Sequence, residues 1–291
     1  MSALRDALAR GTERLAAARI DSAKLDARVL LASAMNVSSD GLLAGAALPA
    51  AAFQQFETFI ARRARREPVA YIVGKKEFWS LDLAVGTGVL VPRPETETLV
   101  EQACREFPDR SVPLRASDFG TGSAAILIAF LSEFPNASGV GIDSSAQALV
   151  WAERNIAAHR LTGRCELRRA DWSAAPDGPF DVLFSNPPYL TQDEIGAAAA
   201  ELAFEPRSAL DGGRDGVEAY RALAPIIAAR LAPNGRAFLE IGAGQGEAVS
   251  AILAANGLET MRIAPDLAGV PRCVVACLAV QKTLGKGSPI L

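Results

Sequence analysis

The chain has 291 residues, enough for one large domain or two smaller ones, and its share of hydrophobic (50%) and charged (22%) residues is ordinary for a globular protein. A formal net charge of -3 and a pI near 5.4 argue against binding of duplex nucleic acid through bulk electrostatics. His159 is the only histidine and the four cysteines form no CxxC pair, which argues against a metal site and a histidine-based catalytic triad.

The N-terminus does not have the composition of a signal peptide. Its first turns carry four charged side chains, those of Arg5, Asp6, Arg10 and Glu13. No apolar run reaches the length needed to span a membrane. We therefore expect a cytoplasmic protein, and a monomer. Cys273 and Cys277 lie in an apolar, strand-like run and are expected to be buried thiols.

Residues 1–66 are predicted to be helical. Apolar residues recur there at near-helical spacing, and Pro49 is well placed in the first turn of a third helix. That helix ends in the basic run Arg62-Arg63-Ala64-Arg65-Arg66. The run is either a solvated helix end that interacts with the helix dipole, or a docking patch for an acidic or RNA-associated partner.

Residues 67–92 are predicted to form a hairpin linker between a small helical domain, residues 1–66, and a larger domain, residues 93–291. Pro68 breaks the preceding helix, and Tyr71-Ile72-Val73 followed by Gly74 suggests the first strand and its turn. Pro92-Arg93-Pro94 then begins a helix with an acidic first turn.

From about residue 112 the pattern becomes strand, glycine-rich turn, helix, strand and acid. The turn is Gly120-Thr121-Gly122-Ser123, the helix begins at Ala124, and Asp143 ends the second strand. In nucleotide-binding βαβ units, glycines let the backbone approach the ligand and the acid accepts from ribose hydroxyls. Because the third glycine of GxGxxG is missing, the sequence favours a phosphate-free nucleoside such as S-adenosylmethionine over a pyrophosphate.

Further strands and helices alternate toward the C-terminus. Asp171 follows a third strand, where it suits an adenine amino group, and Trp172 either stacks on a ligand or fills the core. The later predicted elements are a helix (216–231), a strand (236–241), a helix (244–256) and a closing pair of strands (258–263 and 273–280). The tail Gly285-Lys286-Gly287 is expected to fray.

The most informative stretch is the apolar strand 182–184 that stops at Asn186-Pro187-Pro188-Tyr189. Consecutive prolines cannot donate to a sheet and disfavour a helix before them, so the strand ends at Ser185 or Asn186. Asn186 is thereby placed at the carboxyl end of a strand, where ligands bind in open α/β sheets.

This turn suits a planar –NH2 group. The side-chain carbonyl of Asn186 and the backbone carbonyl of Pro187 each accept one N–H, and Tyr189 supplies a flat wall. Two such acceptors favour the developing positive, tetrahedral nitrogen over the flat ground state. The alternative is a simple strand end, in which Asn186 caps the following segment.

Several motifs, in the same order along the chain, resemble the release-factor glutamine N5-methyltransferases (PrmC, also called HemK). They are Asp26-Ala27-Arg28, residues 67–71 with Phe78-Trp79, Pro92 to Glu97, Asn186 to Tyr189, Phe204-Glu205-Pro206, and Glu240 to Gly246. The Asn-Pro-Pro-Tyr motif alone is shared with other amino methyltransferases, but the combination is specific and covers nearly the whole chain.

The resemblance implies a class I S-adenosylmethionine-dependent methyltransferase (Rossmann-like, α/β) domain behind a small N-terminal helical domain. It implies methyl transfer from S-adenosylmethionine to the glutamine amide in the Gly-Gly-Gln loop of peptide-chain release factors. The implied cofactor residues are Gly120, Thr121, Gly122, Ser123, Ala124, Asp143, Trp172 and Asn186. The implied substrate pocket is Asn186, Pro187, Pro188 and Tyr189, of which Asn186, Pro187 and Tyr189 are the candidate catalytic residues.

The chain departs from the family at Ala124, where the family usually has a third glycine. An added Cβ is costly if that residue contacts the cofactor or needs a positive φ. We therefore hypothesise a reduced affinity for the cofactor.

Three other functions are compatible with parts of the sequence. One is a glutamine methyltransferase acting on a ribosomal protein, and the first 66 residues would decide between these substrates. Another is an adenine-N6 nucleic-acid methyltransferase, which the acidic pI and the lack of a larger recognition domain disfavour. The last is a non-catalytic binding module, which the presence of Asn186 and Asp143 disfavours.

Overall fold

The computed structural model describes residues 3–38, 41–42, 47–174, 176–197 and 199–280; the predicted tail at residues 285–287 lies outside these ranges. The α-helices of the described part are α1 (Ala3–Ala17), α2 (Ala23–Met35), α3 (Ala50–Ala64), α4 (Val69–Val73), α5 (Glu97–Glu106), α6 (Ala125–Glu133), α7 (Ala146–Ala158), α8 (Gln192–Ala197), α9 (Glu218–Arg230) and α10 (Gly246–Ala255). The strands are β1 (Lys75–Phe78), β2 (Leu81–Ala84), β3 (Arg115–Phe119), β4 (Ser138–Asp143), β5 (Cys165–Arg169), β6 (Phe180–Ser185), β7 (Leu231–Glu240), β8 (Leu258–Pro265) and β9 (Pro271–Leu278).

The N-terminal helices α1, α2 and α3 pack around their own hydrophobic core, as predicted for residues 1–66. Phe56 is fully buried and lies against Gly11, where an added Cβ would come within 2.6 Å of its ring. The missing side chain at Gly11 therefore lets α1 and α3 approach closely.

Most of the basic run at the end of α3 is paired within the protein. Arg63 is buried, and its Nε donates to the Asp26 carboxylate at 2.7 Å. Arg62 pairs with Glu67, whereas Arg65 is exposed. Most of the run therefore takes part in internal ion pairs, and only Arg65 fits the description of a solvated helix end.

The predicted hairpin is present, but its strands lie further along the chain. Tyr71-Ile72-Val73 belongs to the short helix α4, which ends at Gly74 with a left-handed φ of 76°. Strands β1 and β2 pair antiparallel instead, around the turn Trp79-Ser80, whose φ angles are 53° and 58°. A three-residue apolar run has no periodicity that separates helix from strand, and Pro68 precedes the helix with a φ of -56°.

The large sheet has seven strands in the order β5-β4-β3-β6-β7-β9-β8. Strand β9 is antiparallel to both neighbours, and the other pairings are parallel. Helices α5, α6 and α7 cover one face, and α9 and α10 cover the other. This is the predicted Rossmann-like α/β architecture, and the closing strand pair is confirmed.

Strand β6 lies in the middle of this sheet and is buried on both faces. Val182 and Phe184 point into the core beneath α6, and Leu183 points into the core beneath α9. The strand ends at Ser185, as the two prolines predict. The carboxyl ends of β3, β4 and β6 therefore meet along one edge of the sheet.

All four cysteines are free; Cys273 is buried as predicted, while Cys277 is only partly buried. In the ranges that the structure describes, no helix is both long enough and apolar enough to cross a membrane.

Candidate active site

A cavity of about 330 Å³ opens at the carboxyl ends of β3, β4 and β6. Seven of the eight predicted cofactor residues line it, namely Gly120, Thr121, Gly122, Ser123, Asp143, Trp172 and Asn186. Asn186 and Pro188 line it from the end of β6. Residues far apart in sequence thus converge on one cavity whose volume is that of a small-molecule site.

The glycine turn and Asp143 form one rigid unit. Gly122 donates its backbone N–H to Asp143 Oδ2 at 2.9 Å, and Ser145 donates its own to Asp143 Oδ1 at 2.8 Å. Gly120 and Gly122 have φ angles of 81° and 55°. A Cβ added at Gly120 would have Trp172 Nε1 as its nearest neighbour, 4.0 Å away, so the open space above this glycine is available to a ligand.

Below this turn, Asp118 is completely buried at the end of β3. Its Oδ2 accepts from the Thr121 hydroxyl at 2.8 Å, which braces the turn. Burial raises the pKa of Asp118 to about 7.

Three predicted site residues do not line the cavity. Ala124 is fully buried on the core side of the turn, with a left-handed φ of 63°. Pro187 is buried, and Tyr189 is partly buried with its hydroxyl directed to Glu240. At the end of β6 the cavity wall is thus made by Asn186 and Pro188, and Tyr189 is held one layer further back.

Trp172 has both of its predicted environments at once. It lines the cavity and also packs, partly buried, against the core beneath α9. The neighbouring Asp171 also lines the cavity, and the hydroxyl of Ser173 lowers the pKa of Asp171 by hydrogen bonding to its Oδ1.

The side chain of Asn186 is anchored by a residue from before the sheet. Its Nδ2 donates to the Thr96 hydroxyl at 3.1 Å, and Thr96 in turn donates to Glu240 Oε2 at 2.5 Å. The Tyr189 hydroxyl donates to the other Glu240 oxygen at 3.3 Å. Thr96 and Glu240 are both buried.

The segment after the Asn-Pro-Pro-Tyr turn closes the far side of the cavity. Pro206, Ser208 and Ala209 line the cavity. Just before them, buried Glu205 pairs with Arg93 and accepts from the Val91 backbone N–H at 3.0 Å. The predicted proximity of Phe204-Glu205-Pro206 to the catalytic edge is therefore what the structure has.

Comparison with known proteins gives consistent matches over the chain. A family model described as the PrmC N-terminal domain matches residues 6–74, and one described as the methyltransferase small domain matches residues 96–213. A release factor glutamine methyltransferase of Cereibacter sphaeroides is 45% identical over 94% of this chain and 98% of its own length. One of Bradyrhizobium diazoefficiens is 43% identical over 90% of this chain and 91% of its own.

This chain belongs to the release factor glutamine methyltransferase family.

The fold of a solved structure agrees with the family assignment. A methyltransferase from Pyrococcus furiosus superposes with a TM-score of 0.52 at 18% identity, over 76% of this chain and 99% of that one. The prediction of a class I methyltransferase fold, with a helical domain before it, is confirmed, and so is the prediction that the chain is an enzyme of this family.

Two residues of this family member were not singled out from the sequence, although their motifs were. Thr96 lies in the Pro92 to Glu97 motif and Glu240 begins the Glu240 to Gly246 motif. A polar residue between two prolines and a helix gives no sign of its partner 144 residues away. A carboxylate at the end of an otherwise apolar strand is the signal that was available for Glu240.

Proposed function

We propose that this protein transfers a methyl group from S-adenosylmethionine to the side-chain amide nitrogen, N5, of the glutamine in the Gly-Gly-Gln motif of peptide-chain release factors. The names of its relatives support this substrate. The observation that carries the proposal is the orientation of Asn186, whose Nδ2 is taken by Thr96, so that its Oδ1 remains to accept from a substrate amide.

The cavity fits a cationic nucleoside better than a phosphate. Its predicted acids, Asp143 and Asp171, lie on the side of the glycine turn. Among the lining residues that the structure describes, the one cation is Arg93, and its charge is met by Glu205. We therefore assign the glycine turn, Asp143 and Trp172 to S-adenosylmethionine, with Asp143 accepting from the ribose hydroxyls.

The chain's own groups act on the substrate amide. Asn186 Oδ1, which lies at the cavity, accepts one of its hydrogens, and we assign the other to the backbone carbonyl of Pro187, whose side chain does not line the cavity. Two acceptors would place the nitrogen and favour the positive charge that develops on it. The bound cofactor supplies a methyl group already activated by its sulfonium. Positioning is then the main contribution of the protein. The methylated nitrogen is positively charged and acidic, so it loses one N–H proton to water and no strong general base is required.

We further propose the domain division that the sequence suggests: residues 1–66 dock the release factor, residues 67–92 link, and residues 93–291 carry the chemistry. Glu201 forms ion pairs with Arg63 of α3 and with Arg66 just after it, so the N-terminal helices lie beside the segment that closes the cavity, which supports this role. A cytoplasmic location, where release factors act, belongs to the same proposal.

The test mixes the protein with methyl-labelled S-adenosylmethionine and an unmodified release factor, either wild type or with its Gly-Gly-Gln glutamine changed to alanine. We expect label on the wild-type factor alone, and a rate lower by roughly 10² to 10³ for Asn186→Ala. Cofactor binding is measured separately by calorimetry. Binding without any transfer to the factor would contradict this substrate, and ribosomal proteins would then be tested in the same assay.

A further inference from the structure

Hydrogen bonds link Asn186 to a buried carboxylate that has no assigned role. Asn186 Nδ2 donates to Thr96 Oγ1, and Thr96 Oγ1 donates to Glu240 Oε2. Glu240 lies at the end of β7, next to β6 in the sheet, and its side chain does not line the cavity.

The chemistry of these groups fixes the direction of every bond. An ionised carboxylate only accepts, so the single hydroxyl hydrogen of Thr96 points at Glu240. The Thr96 oxygen is then left with acceptor capacity alone toward Asn186. Asn186 must present its –NH2 to Thr96, and its carbonyl oxygen faces the other way.

We propose that Glu240 is a positioning residue that acts through Thr96 to hold the Asn186 carbonyl oxygen toward the substrate amide. This inference rests on the proposed function, because it assumes an –NH2 group in the cavity. An Asn186 amide turned by 180° would set its own –NH2 against the substrate –NH2, and two donors cannot bond to each other.

Protonation of Glu240 would release this constraint. A neutral carboxyl can donate to Thr96, whose hydrogen is then free to bond to Asn186 Oδ1, and the amide has no preferred direction. Burial raises the pKa of Glu240 to about 7, so the change falls near neutral pH.

Other charged and polar groups around Glu240 also influence its pKa. The positive charge of Arg272 lowers the pKa of Glu240 and the negative charge of Glu95 raises it. The Tyr189 hydroxyl bonds to the carboxylate, while Tyr220 donates to the Glu240 backbone carbonyl at 2.7 Å. Burial, and after it the negative charge of Glu240, raises the pKa of Tyr220 and of Cys273, so both stay neutral in this range.

The experiment measures single-turnover methylation of unmodified release factor at pH values on both sides of 7. The wild-type rate constant is expected to fall several-fold as pH drops through this region, because only part of the Asn186 side chains then present the carbonyl oxygen to the substrate. In Glu240→Gln the amide side chain enforces no direction, so the rate constant should be several-fold lower than that of the wild type at high pH and independent of pH.

A matched pair at Thr96 tests the link without changing any charge. Thr96→Val removes the hydroxyl with little change of shape and should lower the rate constant on the order of tenfold. The rate constant of this variant should not fall further at low pH. Thr96→Ser restores the hydroxyl and should recover the greater part of that loss. Circular dichroism and cofactor binding show that each variant is folded.

The outcomes separate this inference from the proposed function. The positioning role would be overturned if the fall of the rate constant at low pH persisted unchanged in Glu240→Gln. Full activity in Thr96→Val would overturn it as well. Neither outcome would affect the substrate assignment. A wild-type protein that binds cofactor but methylates no release factor at any pH would overturn the proposed function and this inference together.

Discussion

The guanidinium of Arg63 lies 2.8 Å from the carboxylate of Glu201, which is 138 residues further along the chain. Arg63 is on α3 and Glu201 is in the segment between the Asn-Pro-Pro-Tyr turn and Pro206. The same guanidinium also holds Asp26 of α2, and the Arg63 side chain is only 7% exposed. A single buried cation thus joins two N-terminal helices to the segment that closes the cavity.

Replacing Arg63 should lower the stability of the protein. Arg63→Ala removes the cation that faces Asp26 and leaves Glu201 with Arg66 alone, and we expect the free energy of unfolding to drop by about 3 kcal/mol. Urea unfolding followed by circular dichroism measures the change. The matched control is Arg66→Ala, which removes a more exposed partner of Glu201 and should cost less than about 1 kcal/mol. Equal losses for the two variants would contradict a special role for Arg63.

The variant Ala124→Gly tests backbone strain and cofactor contact separately. The positive φ of Ala124 disfavours a side chain, but its Cβ faces the core, so Ala124→Gly exchanges about 1 kcal/mol of strain for about 0.8 kcal/mol of lost burial. We expect nearly unchanged stability, and a cofactor Kd within about twofold of the wild type. Calorimetric titration decides the second point, and a much tighter Kd in the glycine variant would restore the hypothesis that Ala124 weakens cofactor binding.

Asp143 is expected to matter for the cofactor and not for the protein substrate. Asp143→Asn loses one of the two acceptors that hold the Gly122 and Ser145 N–H groups, and it loses the charge offered to the ribose. The Kd for S-adenosylmethionine should rise about tenfold, which corresponds to about 1.4 kcal/mol. Calorimetry gives this Kd, and steady-state kinetics at saturating cofactor gives the KM for the release factor, which should stay the same.

The buried Glu240 should make stability depend on pH. Its pKa is raised by burial, so the native state holds the proton more tightly than the unfolded chain, and this contribution to stability is complete below about pH 4.5 and lost as pH rises toward 7. Relative to Glu240→Gln, the wild type should therefore become less stable over that interval. Urea midpoints at several pH values test this trend, and a constant difference between the two proteins would show that Glu240 does not titrate there. The pKa of Asp118 is also raised to about 7 by burial, so its contribution to stability is lost over a similar pH interval, and Asp118→Asn serves as a second comparison.

Local chemistry predicted the centre of the site well. Two prolines fix the end of β6 whatever surrounds it, and the glycines of the turn with Asp143 mark the ends of β3 and β4. These signals are short-range and arise from backbone sterics, so the sequence alone was sufficient to place Asn186, Gly120 and Asp143 at one edge of the sheet.

The misplaced features depend on distant partners or on ambiguous local patterns. Arg63 looked like a solvated cation because its partner Glu201 is far away in sequence. Tyr71-Ile72-Val73 is apolar enough for a strand, but its position after Pro68 and before left-handed Gly74 makes one helical turn. The role of Thr96 emerges only when the folded sheet brings it to Glu240.

Strand β9 is inserted between β7 and β8, although it follows both in the sequence. As the chain leaves the ribosome, β7 therefore has an unpaired edge until the return strand arrives, and Glu240 lacks its neighbour Cys273 on that edge. The Asn-Pro-Pro-Tyr turn is synthesised much earlier, but the buried surroundings that raise the pKa of Glu240 are completed by this late strand. A nascent chain that stops short of β9 would thus carry every motif of the candidate site and still lack the strand that encloses Glu240.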